Sequence, residues 1–323
     1  MEAVTARAGA NIALVKYWGK RDARLNLPAA GSISVTLADL ETRTTVTPSP
    51  ELDFDELLLD GRSAPTARIA PVLDRFRMVS GCDLYCRVES TNSFPTGAGL
   101  ASSASGFAAL VVAADAAFGT GLDDARLSEQ ARLGSGSAAR SIFGGFVEMA
   151  PGSRDDGSDA VASPLLDAAD WPLEIVVAIT ESGSKSVSST DGMNLTMNTS
   201  PYYRAWVESV PADLERARAA VAARDFDLLA EAGESSALKM HASALAAQPG
   251  LLYWNGATVA CLHEVRRLRA AGTGVFFTVD AGPQVKAICL PAQGAQVAAR
   301  LADVPGVVRV IETALGPGAG VLT

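Results

Sequence analysis

Hydrophobic and polar positions change their period several times along this chain. Residues 41–46 (ETRTTV) alternate polar with apolar or β-branched side chains, and residues 84–88 do so in part. A period of two is that of a strand with one buried face. Over residues 65–79 the period lengthens, and Ile69, Val72, Leu73 and Phe76 fall on one face of a predicted helix. Residues 91–99 break both patterns with Pro95, Gly97 and Gly99 and read as a loop. Residues 100–118, rich in Ala, Leu and Val, read as a buried helix directly after it. Shorter helices are expected at 128–133 and 137–142, flanking Gly134 and Gly136.

Residues 173–180 (LEIVVAIT) follow a polar loop and read as a buried strand. Helical periodicity then dominates at 201–222, 226–245 and 255–271, the last stopped by Gly272 and Gly274. Residues 275–279 (VFFTV) and 307–311 read as strands, with Asp280 ending the first of them. Strand pairs mixed with helices predict an α+β fold, helices packed on antiparallel sheet. A lobe boundary is expected near the 173–180 strand, giving lobes of 1–172 and 173–323.

The chain has 323 residues, 48% hydrophobic and 20% charged, the composition of a globular protein with a substantial core. Its net charge of −9 argues against sequence-independent nucleic-acid binding, which needs a basic face. It leaves room for a local cationic pocket and a small anionic substrate. The N-terminus lacks the basic and apolar segments of a signal peptide, and no apolar run approaches the roughly 20 residues of a membrane span. Cys82, Cys86, Cys261 and Cys289 form no dense disulfide framework, so reduced thiols and a cytoplasmic location are expected. Cys82 and Cys86 lack the second pair that a zinc site needs.

Four stretches carry candidate chemistry. In residues 95–104 (PTGAGLASSA), glycines allow close backbone approach and a helix begins directly afterwards, so free N–H groups and the positive end of its dipole face the loop. Ser102 and Ser103 could touch phosphate or a metal ion there. A glycine-rich turn with serine caps fits the same residues, and the Walker pattern is absent. Residues 16–22 (KYWGKRD) concentrate Lys16, Lys20 and Arg21 beside Tyr17 and Trp18, either as an anion site or as a solvated basic face. Residues 134–141 (GSGSAARS) offer small residues, hydroxyls and Arg140, which could hold a carboxylate through two parallel hydrogen bonds or lie on the surface. Asp280, backed by an apolar strand, sits where desolvation and nearby cations shift pKa values, although many such aspartates only cap a turn. Residues 185–191 (KSVSSTD) form a polar run with the look of a surface loop. With two histidines, His241 and His263, a Ser-His-Asp hydrolase is formally possible, but no GxSxG elbow is present. His241 reads as packing or as lining of a substrate pocket.

The 95–104 stretch resembles the phosphate-binding motif of the GHMP kinase superfamily. Residues 11–22 (NIALVKYWGKRD), 134–141 and 280–283 (DAGP) resemble the mevalonate diphosphate decarboxylases within it, as do 25–37 (LNLPAAGSISVTL) and 188–201 (SSTDGMNLTMNTSP). The resemblance runs over nearly the whole chain in the family's order. It implies a two-lobed GHMP kinase-like fold with a cleft between the lobes. It implies ATP-dependent decarboxylation of (R)-5-diphosphomevalonate, with Mg²⁺ as cofactor and a homodimer as the usual assembly. Asp280, Lys16 and Arg140 match the catalytic positions. Asn11, Tyr17, Lys20, Ser135 and Ser137, with Arg140, match substrate contacts. Pro95, Gly97, Gly99, Leu100, Ala101, Ser102, Ser103, Lys185 and Ser189 match nucleotide contacts, with Ser103 as the implied metal ligand. Action on mevalonate 5-phosphate, or 3-phosphorylation without decarboxylation, stays open at this level.

Overall fold

The computed structural model describes residues 2–94, 102–183 and 186–322. Two sheets carry the architecture. The larger is organised around strand Val4–Val15, which pairs antiparallel with the long strand Ser32–Ser49. Tyr85–Asn92 continues that sheet, followed by Glu56–Leu59 in parallel and by Arg62–Ser63 at the edge. The first residues of Ser32–Ser49 also pair with Phe146–Met149, which carries Ala162–Leu166 on its other side. The smaller sheet is antiparallel throughout, in the order Val275–Val279, Val285–Cys289, Glu174–Ile179 and Arg309–Ala314.

The first strand could not be recognised by alternation because nearly all of it is buried. Its two ends serve different cores. Ala6 and Ala8 pack in the cluster that holds helix Ser102–Phe118. Ala10, Ile12 and Leu14 have the same parity but pack against the second sheet. The register breaks between Gly9 and Asn11, where the partner strand runs on from Glu41 to Thr36 before pairing resumes, an irregularity that separates the two ends of the first strand. Gly9 is required at this break, because a Cβ there would lie 2.3 Å from the Leu37 carbonyl oxygen. Asn11, just past the break, lines the cleft described below.

Helix Ser102–Phe118 is nearly all small or apolar and lies buried against the larger sheet. Helices Tyr203–Ala223 and Phe226–Leu245 pack against each other, and the latter also covers parts of both sheets. The two sheets share one core, in which Leu14, Val35 and Phe146 meet Ile175, Phe276 and Ile288. The chain end crosses back: Gly320–Val321 pairs with Val4–Val15, so a single cut at 172/173 does not separate the two sheets' strands.

Several expected boundaries move for local reasons. The helix expected over 65–79 starts at Ala70, with Pro71 in its first turn, where a missing N–H costs nothing. The helix expected at 128–133 starts earlier, as Asp124–Gly134, because the Asp123 side chain accepts from the Arg126 amide. The segment expected as a helix at 137–142 is a 3₁₀ turn, Ala138–Ile142. Asn255 caps helix Gly256–Ala270 from outside, in a reciprocal pair with Thr258. The 307–311 strand is shifted to Arg309–Ala314. Part of the polar run at 185–191, read as a loop, belongs to helix Ser189–Thr199, which Ser188 caps by accepting from the Asp191 amide. Among the described residues no helix is long and apolar enough to cross a membrane. All four cysteines are free.

Phe276 is fully buried in the core shared by the sheets. Phe276→Ala should therefore cost about 3–5 kcal/mol of stability. Equilibrium denaturation measures it, and a loss below about 1 kcal/mol would contradict a shared, well-packed core.

Candidate active site

A cleft of about 580 Å³ is lined by residues from the first strand, both helix starts at Ser102 and Ser189, the 134–140 segment and Asp280. At its floor, Lys16 Nζ donates to Asp280 Oδ1 at 2.6 Å and to the Ala13 carbonyl at 2.7 Å. The Ala13 carbonyl also accepts from Thr278 Oγ1 at 3.2 Å, and the Lys16 amide donates to Ser236 Oγ at 2.9 Å. Strand ends from both sheets and helix Phe226–Leu245 therefore converge on one lysine. Lys286 Nζ lies 3.2 Å from the second oxygen, Asp280 Oδ2.

The Lys16 side chain is 1% exposed and that of Asp280 is 26% exposed, so the carboxylate is open to the cleft while its counter-ion is almost fully enclosed at the floor. Burial works against ionisation of Asp280, but Lys16 and then Lys286 outweigh it and hold the carboxyl well below the usual carboxylate range. Burial brings Lys16 down to about 8, against the opposing pull of Asp280. The site thus holds an ionised carboxylate at neutral pH. His241 is buried and its ring nitrogen Nε2 lies 3.2 Å from the Val279 carbonyl oxygen. Burial and the charge of Lys16 hold it at about 3, so it is neutral, and it packs 4.7 Å from the Trp254 ring.

Arg140 is 2% exposed. Its Nε donates to Ser34 Oγ at 3.0 Å, one terminal nitrogen to Ser32 Oγ at 2.6 Å and the other to Asn11 Oδ1 at 3.2 Å. Asn11 in turn donates to the Ser137 carbonyl at 2.9 Å and to Ser141 Oγ at 2.8 Å. Among the described residues Arg140 makes no ion pair. Burial lowers it to about 10, while Tyr17 and Asp280 pull the other way, so it keeps its charge at neutral pH. A buried guanidinium held only by neutral partners is a favourable place for an incoming carboxylate.

Nearer the cleft's polar wall, Lys20 Nζ donates to Asn26 Oδ1 at 2.7 Å. Ser135 Oγ stands 3.3 Å from Ser137 Oγ and 3.4 Å from Ser103 Oγ. The Tyr17 hydroxyl is buried without a partner among the described residues, and burial pushes its pKa up, so it stays a donor. The glycines of this wall make room. A Cβ on Gly136 would lie 2.2 Å from the Tyr17 hydroxyl, and one on Gly134 would lie 2.1 Å from the Phe107 ring.

The structure brings Lys16, Asp280, Arg140, Asn11, Tyr17 and Lys20 to one cleft, together with Ser135, Ser137, Ser102, Ser103 and Ser189. Pro95, Gly97, Gly99, Leu100, Ala101 and Lys185 lie outside the described residues. Sequence reasoning missed Lys286 and the Ser32, Ser34 and Ser141 hydroxyls that hold Arg140 and Asn11. The signal for Lys286 was present, as a lone lysine within the apolar run VKAIC.

The fold and this cleft define a member of a decarboxylase family. Residues 8–162 match the diphosphomevalonate decarboxylase-like N-terminal domain and residues 175–314 match the mevalonate 5-diphosphate decarboxylase C-terminal domain. The chain belongs to the diphosphomevalonate decarboxylase family. It is similar to the human diphosphomevalonate decarboxylase, 37% identical over 88% of this chain and 76% of that one. It is similar to the crystal structure of mevalonate diphosphate decarboxylase from Staphylococcus aureus, 37% identical with a TM-score of 0.93, covering 100% of this chain and 98% of the other. It also resembles MDDEF, solved in complex with MVAPP, AMPPCP and magnesium, 36% identical with a TM-score of 0.90 over 99% of this chain and 98% of that one.

Because Asp280 opposes the effect of burial on Lys16, Asp280→Asn should bring Lys16 further below about 8. Titration of the lysine side-chain ¹⁵N signals in both proteins measures this. A Lys16 signal that titrates near 10 or above, or that rises in the variant, would contradict the assigned electrostatics.

Proposed function

We propose that this chain catalyses ATP-dependent decarboxylation of (R)-5-diphosphomevalonate, giving isopentenyl diphosphate, ADP, phosphate and CO₂. Family membership across both halves supports the reaction. The single structural observation that carries it is that one cleft holds both Arg140, a buried guanidinium without a carboxylate partner among the described residues, and an ionised Asp280.

Decarboxylation at this carbon needs two events. A tertiary hydroxyl is a poor leaving group, so its oxygen first takes the γ-phosphoryl group of ATP. The C–O bond then breaks, phosphate departs, and the electrons of the breaking C–C bond become the alkene as CO₂ leaves. Asp280 accepts a hydrogen bond from the substrate's 3-hydroxyl and aims its oxygen at the γ-phosphorus. A carboxylate held so far below its usual pKa is a weak base. That suits a loose phosphoryl-transfer transition state, in which the bond from the γ-phosphorus to ADP breaks and the hydroxyl proton passes late to Asp280 and from it to solvent. Arg140 takes the substrate carboxylate in the slot framed by Ser32, Ser34 and Asn11. The hold fixes the C–C bond in line with the departing phosphate. Tyr17, Lys20, Ser135 and Ser137 line the wall suited to the diphosphate.

The nucleotide phosphates meet the start of helix Ser102–Phe118, and helix Ser189–Thr199 presents its own N-terminus to the same cleft. No group of three or more His, Cys, Asp or Glu residues converges among the described residues. That fits Mg²⁺ carried mainly by phosphate oxygens, with Ser103 at the helix start as a protein ligand. When bound, the ion neutralises charge on the transferring phosphoryl group. The sparse cysteines, four in 323 residues, support a cytoplasmic setting.

Incubation with ATP and, separately, mevalonate, its 5-phosphate and its 5-diphosphate, with ADP and CO₂ measured, tests the substrate. CO₂ release should be fastest with the diphosphate, and preference for either other substrate would overturn the assignment. Asp280→Asn should bind both substrates and lose turnover by orders of magnitude, about 100-fold or more. Near-normal kcat would remove Asp280 from the reaction. Arg140→Ala should reduce kcat/KM for diphosphomevalonate while ATP binding is kept, and an unchanged kcat/KM rejects the carboxylate clamp.

A further inference from the structure

We infer that Lys286 is a positioning residue for the reaction: it fixes the second oxygen of Asp280, so that the carboxylate meets the substrate hydroxyl in one orientation and in its ionised form. The inference rests on the reading of Asp280 given above and deepens it.

The geometry comes from the smaller sheet. Val275–Val279 and Val285–Cys289 pair in register, with Thr278 opposite Lys286. Side chains alternate across this pair. Val275, Phe277 and Val279 face one core together with Val285, Ala287 and Cys289. Phe276 and Ile288 face the other, towards the larger sheet. Thr278 and Lys286 share that second face, and Asp280 continues it just past the strand end. Asp280 and Lys286 are therefore diagonal neighbours across the pair, at a spacing a lysine can span. The observed 3.2 Å from Lys286 Nζ to Asp280 Oδ2 is the outcome. With Lys16 on Oδ1 at 2.6 Å, each carboxylate oxygen has its own ammonium. One lysine alone would leave the carboxylate free to rotate about its last bond. Two, arriving from different strands, remove that freedom.

Energetics point the same way. The Lys286 side chain is 3% exposed, in a strand whose other residues are Val, Ala, Ile and Cys. Burying an ammonium carries a large desolvation penalty, and apolar residues of similar volume usually replace buried ion pairs at little loss. A valine or methionine would fit the packing of this strand without that penalty. The lysine is accounted for by what it does to Asp280.

Among the described residues, four ionisable groups interact with Asp280. Lys16 and Lys286 make ion pairs with it, Arg140 lies further off and keeps its charge, and His241 is neutral. Loss of Lys286 removes one of the two ammonium groups that outweigh burial, so the carboxyl of Asp280 must titrate at higher pH.

The test is the pH profile of kcat for diphosphomevalonate in Lys286→Met and Lys286→Gln, with Asp280→Asn and the wild type alongside. Lys286→Met leaves Asp280 paired with Lys16 and should remain folded. Its kcat should fall about 10- to 100-fold, with the KM for ATP unchanged. Its acid limb should move up by about one pH unit or more. Lys286→Gln, which keeps a hydrogen-bond donor but no charge, should show the same shift of the limb with a smaller loss of kcat. Wild-type kcat and acid limb in both variants, or a rise in KM alone, would overturn the inference. Unfolding of both variants would make Lys286 a structural residue and overturn it equally. The Asp280→Asn control separates the two claims. If that variant turns over normally, the reading of Asp280 fails. If it is inactive while the Lys286 variants behave as wild type, only the role of Lys286 fails.

Discussion

The ion pair between Lys16 and Asp280 is the contact on which the rest of the site depends. The two residues stand 264 positions apart in the chain and sit at the ends of strands from different sheets. Desolvation works against the charged form of each, and each favours the charge of the other. Together, and with Lys286, they are held in a fixed geometry. The shared core behind them keeps the two sheets in register, so the pair is set by packing rather than by its own attraction. Position comes from the apolar core, and protonation state comes from the lysines.

Arg140 shows the same division of labour with the opposite balance. Asp280 is given an excess of positive charge, whereas Arg140, among the described residues, is given hydroxyls and an amide oxygen. One group is satisfied before substrate arrives and the other is left with a charge to neutralise. The first suits a residue that must stay ionised and still. The second suits a residue whose binding energy is drawn out by a substrate carboxylate. Just past the register break at Gly9, Asn11 links Arg140 to the 137–141 segment.

Periodicity revealed the amphipathic helices and the apolar strand before Asp280, because one buried face leaves a trace in the order of residues. It did not reveal Val4–Val15, whose two faces are both covered and whose pattern is reset at a bulge. Helix Ser189–Thr199 was hidden for another reason: its first turn is built of Ser and Thr, which suit loops and caps alike. The chemistry was legible through motifs, which placed Lys16, Arg140 and Asp280 in one set. Lys286 and the serines around Arg140 were not, since their roles arise only when strands distant in sequence are laid side by side.

A double-mutant cycle on Lys16 and Asp280, read as kcat/KM for diphosphomevalonate, tests the central claim most directly. If the pair acts as a unit, Lys16→Met, Asp280→Asn and the double variant should lose similar amounts, because either change removes the oriented carboxylate. Losses that add in the double variant would mean that the two residues act independently, and would contradict the account.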